Sequence, residues 1–350
     1  MYYLGLDVGS SSVKAAIVDA KSGKSILSVH EPKNEMGINS LNNDWAEQDP
    51  NIWWKYTCDA IKRVCKESNI DSKKIGSIGI SYQMHGLVVV DKNGSPLRDS
   101  IIWCDSRAVN IGNEAFEKLG QEKCMSHLLN SPGNFTASKL KWVKDNEPNI
   151  YEKIYKYMLP GDFIAYKLTG EINTTRNGLS EGIIWDYKNN STADWLLDHY
   201  GIDSNLTPDL VDNFSNQGAT NLKSSNETGL NVGVPITYRA GDQPNNALAL
   251  NVFDNGEVAA SGGTSGVIYS ITNNLESNEP SRINHFAHVN YNNNNKSIGK
   301  LLCINGAGIQ YRWLRNHSIH ESYEKMNEVA ANIPVGSEGV SVIPFGNGSE

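Results

Sequence analysis

The sequence predicts an α/β fold on three observations. The chain opens with three strands joined by tight turns, a helix and a further buried strand follow, and the opening hairpin pattern recurs about 250 residues later. Its 350 residues suit two domains better than one small core. With 39% apolar and 20% charged residues, it has the composition of a globular chain.

Tyr2 to Val8 reads as the first strand, Gly9-Ser10-Ser11 as a turn and Val13 to Val18 as the second strand. Lys21-Ser22-Gly23-Lys24 then turns the chain into a third, Ser25 to His30. Consecutive strands with such short connections are antiparallel hairpins. Asp49-Pro50 starts a helix, because Ile52, Trp53, Tyr56, Ala60, Ile61, Val64 and Cys65 recur at helical spacing. Ile75 to Ser81 is a short apolar run, expected to be a buried strand. Hairpin strands, helix and strand in that order begin a ribonuclease-H-like domain.

The stretch from Asn110 to Tyr200 reads as helical and irregular, an elaboration suited to covering a ligand cleft. Beyond Gly241 the opening recurs: Glu257 to Ala260 as strand, Ser261-Gly262-Gly263-Thr264-Ser265 as turn, and Gly266 to Ile271 as strand. Gly229, Gly233 and Pro235 mark a connection, which places two domains at 1–238 and 239–350.

The formal charge of −8 gives no electrostatic reason to expect a nucleic-acid partner. Cys58, Cys65, Cys104, Cys124 and Cys303 form no CxxC pair, which argues against a disulfide framework or a structural zinc site. No apolar run approaches the roughly 20 residues of a membrane span. The start, Met1-Tyr2-Tyr3-Leu4-Gly5, lacks the pattern of a signal peptide, so a cytoplasmic chain without membrane partners is expected.

Two turns of Gly, Ser and Thr suggest phosphate chemistry, since backbone N–H groups and hydroxyls can approach an anion there unobstructed. Asp7 would then hold a magnesium ion through water, and Lys14 would assist with phosphate charge. The alternative is that Gly9 and Gly263 merely permit tight turns and Asp7 caps one. No GxxxxGK[ST] sequence is present. Asp242, before Gln243-Pro244, either caps a helix or acts as a general base on a hydroxyl nucleophile. Gln83-Met84-His85-Gly86 follows the buried strand and offers an amide, an imidazole and exposed backbone to a polyol. Trp103-Cys104-Asp105-Ser106-Arg107 supplies a carboxylate and a guanidinium, either for a ligand or as a surface ion pair.

These segments together resemble the FGGY family of carbohydrate kinases. Leu4-Gly5-Leu6-Asp7-Val8-Gly9-Ser10-Ser11-Ser12-Val13-Lys14 is similar to the family's opening signature, with Ser10 where Thr is commoner. Trp45-Ala46-Glu47-Gln48-Asp49-Pro50 with Trp53-Trp54, the Trp-x-Asp-x-Arg stretch at Trp103, and Leu159-Pro160-Gly161-Asp162-Phe163 with Leu168-Thr169-Gly170-Glu171 resemble further family segments. Gln83-Met84-His85-Gly86 is similar to the substrate motif of xylulose-phosphorylating members.

The resemblance implies two actin-like domains around an interdomain cleft, the second incomplete, with ATP and Mg²⁺ as co-substrates and D-xylulose phosphorylated at its terminal 5-hydroxyl. A related ketose or polyol is the neighbouring alternative. Asp242 would be the base and Asp7 the magnesium-associated carboxylate. Gln83, Met84, His85, Trp103, Asp105 and Gln243 would meet the sugar. Gly9, Ser10, Ser11 and Lys14, with Gly263, Thr264 and Ser265, would hold the nucleotide phosphates. A homodimer is carried as the expected assembly. Three departures bear on this: Gln243 stands where Asn is common, Cys104 also replaces Asn, and Pro344-Phe345-Gly346-Asn347-Gly348-Ser349-Glu350 resembles a family segment cut before its Arg. The last implies a chain weak in phosphoryl transfer, or one that binds sugar without transferring phosphate.

Overall fold

A computed structural model describes residues 1–262, 266–277, 279–304, 307–317 and 322–342. Strands β1 (Tyr2–Val8), β2 (Val13–Asp19) and β3 (Ser25–Glu31) form the antiparallel meander that the turns predict. Helix α1 (Pro50–Glu67) follows, with Asp49 at its N-cap accepting from the Asn51 N–H at 2.8 Å and Pro50 in the first turn. Its buried face is Trp53, Trp54, Thr57, Cys58, Ala60, Ile61 and Val64. Ile52, expected on that face, is 44% exposed. The stripe includes Trp54 and Cys58 because the helix is covered by the helices beside it as well as by β2 and β3, which the spacing alone does not give.

Strand β4 (Ile75–Tyr82) pairs parallel with β1, and β5 (Ile236–Gly241) pairs parallel with β4, giving the order β5-β4-β1-β2-β3. The expected division between residues 238 and 239 falls inside β5. Gly and Pro upstream mark the loop that enters this strand, and the ladder with β4 continues to Gly241.

Between β4 and β5 the chain is largely helical, as expected. Helices α2 (Thr136–Asn146), α3 (Pro160–Thr169) and α4 (Arg176–Glu181) matter for the site. After β5 come helix α5 (Asp242–Ala249) and a second sheet of β6 (Val258–Gly262), β7 (Gly266–Thr272), β8 (Asn284–Ala287) and β9 (Ile298–Ile304), ordered β6-β7-β9-β8 and antiparallel throughout. The recurrent hairpin is therefore present as β6–β7, but its turn residues Gly263, Thr264 and Ser265 lie outside the described residues.

One apolar core lies under the first sheet and includes Leu4, Leu6, Ile17, Trp53, Ile61, Ile80 and Phe163. A second runs from Met84 through Leu140, Leu179 and Trp185 to Phe286, Ile298 and Leu301, so the helical elaboration and the second sheet share a core. The free edge of β8 is gripped by polar side chains. The Asn130 amide spans the N–H and C=O of His285 at 2.8 and 2.7 Å, Ser180 accepts from the Ala287 N–H at 2.7 Å, and Asn177 donates to the carbonyls of Ala287 and His288 at 2.8 Å each. Such contacts satisfy an edge that would otherwise stand unpaired. No helix among the described residues is long and apolar enough to cross a membrane.

Candidate active site

The three parallel strands end side by side: Val8 and Gly241 both lie in register with Tyr82. The residues that follow each strand, Gly9-Ser10, Gln83-Met84-His85 and Asp242, therefore emerge along one rim. Open sheets bind ligands outside the carboxyl ends of their parallel strands.

The first turn is held from several sides. Gly9 donates to the Ser12 carbonyl at 3.0 Å, and the Met36 N–H donates to the Ser11 carbonyl at 2.8 Å. Gln48 donates through Nε2 to the Ser10 carbonyl at 2.7 Å while its Oε1 accepts from the Trp53 indole at 3.0 Å. A Cβ on Gly9 would sit 3.1 Å from the Ser12 carbonyl oxygen, a tight contact that glycine avoids. The Trp103 indole, half exposed, donates to the Ser10 hydroxyl at 3.3 Å. Lys14, across the hairpin from Asp7, donates to its carboxylate at 2.9 Å.

Asp242 is the first residue of α5. Gly241 occupies the N-cap position and no side chain caps the helix, so Asp242 does not serve as the cap. Burial and then the Asp7 carboxylate push its pKa up to about 7, while hydrogen bonds from Gln243 and from its own backbone N–H pull the other way. The Asp7 carboxylate is thus within electrostatic reach of Asp242.

His85 sits at φ 62°, in the left-handed region that most side chains avoid. Its Nδ1 lies 2.8 Å from the Glu181 carbonyl oxygen, which can only accept, so Nδ1 carries the proton. Burial pushes its pKa down to about 3, so the ring is neutral and Nε2 is an acceptor. Phe135 and Phe286 flank it, with ring centroids 4.8 and 5.1 Å away. Met84 is buried beneath Gly241, where a Cβ would collide with it and with Glu181 Oε2. Gln83 is buried, and both of its amide atoms lack a partner among the described residues.

Asp105 stands elsewhere. The sequence offered it as a sugar contact or half of a surface ion pair, but its carboxylate is fully buried and committed to the fold. It accepts from the Ala46 N–H at 2.6 Å and from Arg107 Nη2 at 2.6 Å. Arg107 in turn pairs with Glu47 at 2.6 Å and lies over the rings of Trp45 and Trp142, 3.9 and 4.7 Å from their centroids. Arg98 joins Glu47 and Glu147, extending the buried charge network.

The structure also brings in residues the motifs did not single out. Glu181, 1% exposed, has its pKa raised well above the usual carboxylate range, by burial and then by Asp162 and Asp242. Its position in the apolar stretch Gly178-Leu179-Ser180-Glu181-Gly182-Ile183 was the available signal. Asp162 pairs with buried Arg239 at 3.0 Å. Lys139, also fully buried, contacts the carbonyls behind His85 and Trp103. Nothing local in the sequence marks it. Among the described residues no group of three or more His, Cys, Asp or Glu could hold a metal ion. A magnesium ion needs only one or two carboxylates beside substrate phosphates, and Asp7, partly exposed next to Asp242, fits that requirement.

Comparison with known proteins accords with this arrangement. The chain is 29% identical over 346 residues to a xylulose kinase of Staphylococcus xylosus, covering 98% of this chain and 70% of that one. The crystal structure of xylulose kinase from Rhodospirillum rubrum shares the fold with a TM-score of 0.89 at 22% identity, over 99% of this chain and 70% of that one. Plasmodium falciparum glycerol kinase with ADP shares it with a TM-score of 0.84 at 20% identity, over 98% and 70%. The fold is thus the actin-like, ribonuclease-H-like architecture of these kinases. The N-terminal domain of the FGGY family of carbohydrate kinases matches residues 2–249, and the chain belongs to that family.

Proposed function

We propose that this sugar kinase transfers the γ-phosphoryl group of ATP to the terminal 5-hydroxyl of D-xylulose, with Asp242 as general base. The observation that carries the reading is that the Asp7 carboxylate acts on Asp242 from the end of β1, with neutral His85 in the segment that follows β4, the strand between β1 and β5. The relatives named xylulose kinase favour the sugar, and a glycerol kinase of the same fold with ADP favours the nucleotide.

In this reading His85 Nε2 accepts a hydrogen bond from a sugar hydroxyl, and Met84 and Trp103 supply apolar surface to the carbon chain. Gln83 offers its unpaired amide. Gly9, Ser10 and Ser11 receive the nucleotide phosphates with Lys14 nearby, and Gly263, Thr264 and Ser265 are read from the sequence as the second phosphate-binding turn. As the 5-oxygen forms its bond to phosphorus and the bond to the β,γ-bridging oxygen breaks, the hydroxyl proton passes to the Asp242 carboxylate and ADP leaves. Asp7 would hold Mg²⁺, which when bound neutralises charge on the phosphate oxygens. Closure of the cleft would exclude the water that competes with the sugar.

Steady-state assays with ATP across D-xylulose, D-ribulose, glycerol and gluconate test the reading, with the highest kcat/KM expected for D-xylulose. A clear preference for another acceptor overturns the sugar assignment. Calorimetry that detects xylulose binding without ATP binding would identify a sugar-binding chain instead.

The base must be ionised to act, so kcat/KM should fall as pH drops through about 7. Asp7 is one cause of that raised value, so Asp7→Asn should shift the acid limb of its residual activity to lower pH. A limb that stays in place would show that Asp242 does not sense Asp7.

A further inference from the structure

Lys139 on α2 is fully buried, and no carboxylate lies within ion-pair distance of it among the described residues. Its Nζ donates to two main-chain carbonyls, that of His85 at 3.1 Å and that of Ile102 at 2.9 Å. Burying an ammonium group is costly unless its protons are satisfied in good geometry, so a lysine at such a site is held there by what it binds. The two carbonyls belong to different loops. One is that of the residue read here as the sugar-facing acceptor, and the other immediately precedes Trp103.

These loops are already joined once, where the Leu87 N–H donates to the Ile101 carbonyl at 2.9 Å. Two residues before Leu87 and one after Ile101, Lys139 joins them a second time. The His85 carbonyl also accepts from the Thr136 hydroxyl at 3.3 Å, one turn earlier on α2. His85 is therefore fixed at both ends, its ring by the Glu181 carbonyl and its own carbonyl by α2, which holds it at its positive φ. Burial drives the Lys139 pKa down to about 8, with Asp105 the leading influence in the opposite direction.

We propose that Lys139 is a positioning residue whose single ammonium group holds the His85 loop and the Trp103 loop in register for the sugar. The inference rests on the reading that these loops meet the sugar. It assigns to α2 control over the spacing between two recognition elements.

The test is Lys139→Met, which keeps the length of the side chain and removes its donors. By calorimetry, the Kd for D-xylulose should rise roughly tenfold to hundredfold, the scale at which small misplacements are felt. The KM for ATP should be unchanged, and the melting temperature unchanged or raised, because an apolar chain replaces a buried charge. A purely structural lysine would instead lower the melting temperature and disturb both substrates together. Unchanged xylulose affinity in a folded Lys139→Met protein overturns the proposal.

Should that variant fold poorly, hydrogen exchange on the wild-type chain asks the same question. D-xylulose should protect residues 84–87 and 102–104 together, and protection of one loop without the other overturns the clamp. Wild-type protein that binds no sugar of the panel would overturn the reading of the site itself, whereas wild-type binding that Lys139→Met leaves intact overturns only the clamp.

Discussion

Replacing Asp242 with Asn is expected to lower kcat by about 10²- to 10⁴-fold while making the protein more resistant to heat above neutral pH. The first effect follows from removing the group placed to take the sugar's proton, with little change of shape. The second follows from the raised pKa. In the folded chain Asp242 titrates near 7 against a reference value of 3.8, so between those values the folded state binds more protons than the unfolded one. The wild-type protein therefore loses stability as pH rises through that window, and the Asn variant does not. The two should melt alike near pH 4, and the variant should melt several degrees higher at pH 8. Loss of xylulose binding with turnover per bound complex intact would assign Asp242 a positioning role. Identical melting curves at pH 8 would show that its carboxylate carries no strain. Functional groups held in costly environments commonly show this exchange of stability for activity.

The second large effect is expected at Asp105. Asp105→Ala should cost about 3–5 kcal/mol, the usual penalty for removing one partner of a buried ion pair. Against a typical total of roughly 5–15 kcal/mol, most of the folded population would be at risk at physiological temperature. The reason is positional: Arg107 would remain buried between Trp45 and Trp142, and the Ala46 N–H would lose its acceptor. Urea unfolding measures the loss. An unchanged midpoint with weakened sugar binding would return Asp105 to the role the sequence first suggested.

Asp105 also shows where sequence reading ends. Asp and Arg two positions apart announce a pair, but whether water reaches it depends on Glu47, Trp45 and Trp142, which arrive from other segments. The strands of the first sheet were legible because hairpin turns and apolar runs are local signals. The approach of Asp7 to Asp242 came only from motif resemblance, since it depends on β4 lying between β1 and β5. Helix α1 was legible as a helix, whereas the face it buries depends on which distant elements cover it, and Ile52 lies outside that face. Gly and Pro marked the loop before β5 but could not show that the strand itself belongs to the first sheet. Glu181 and Lys139 act through backbone groups distant in sequence, and such contacts leave no periodicity to read.

The seam along β8 has a consequence for how this protein can diverge. Asn130, Asn177 and Ser180 grip peptide groups rather than side chains, so this part of the joint does not depend on which side chains β8 carries. Phe286 is thereby available to stand beside His85. Truncating any of those three polar side chains would leave buried peptide groups of β8 without a partner, a cost set by desolvation and not by lost apolar contact.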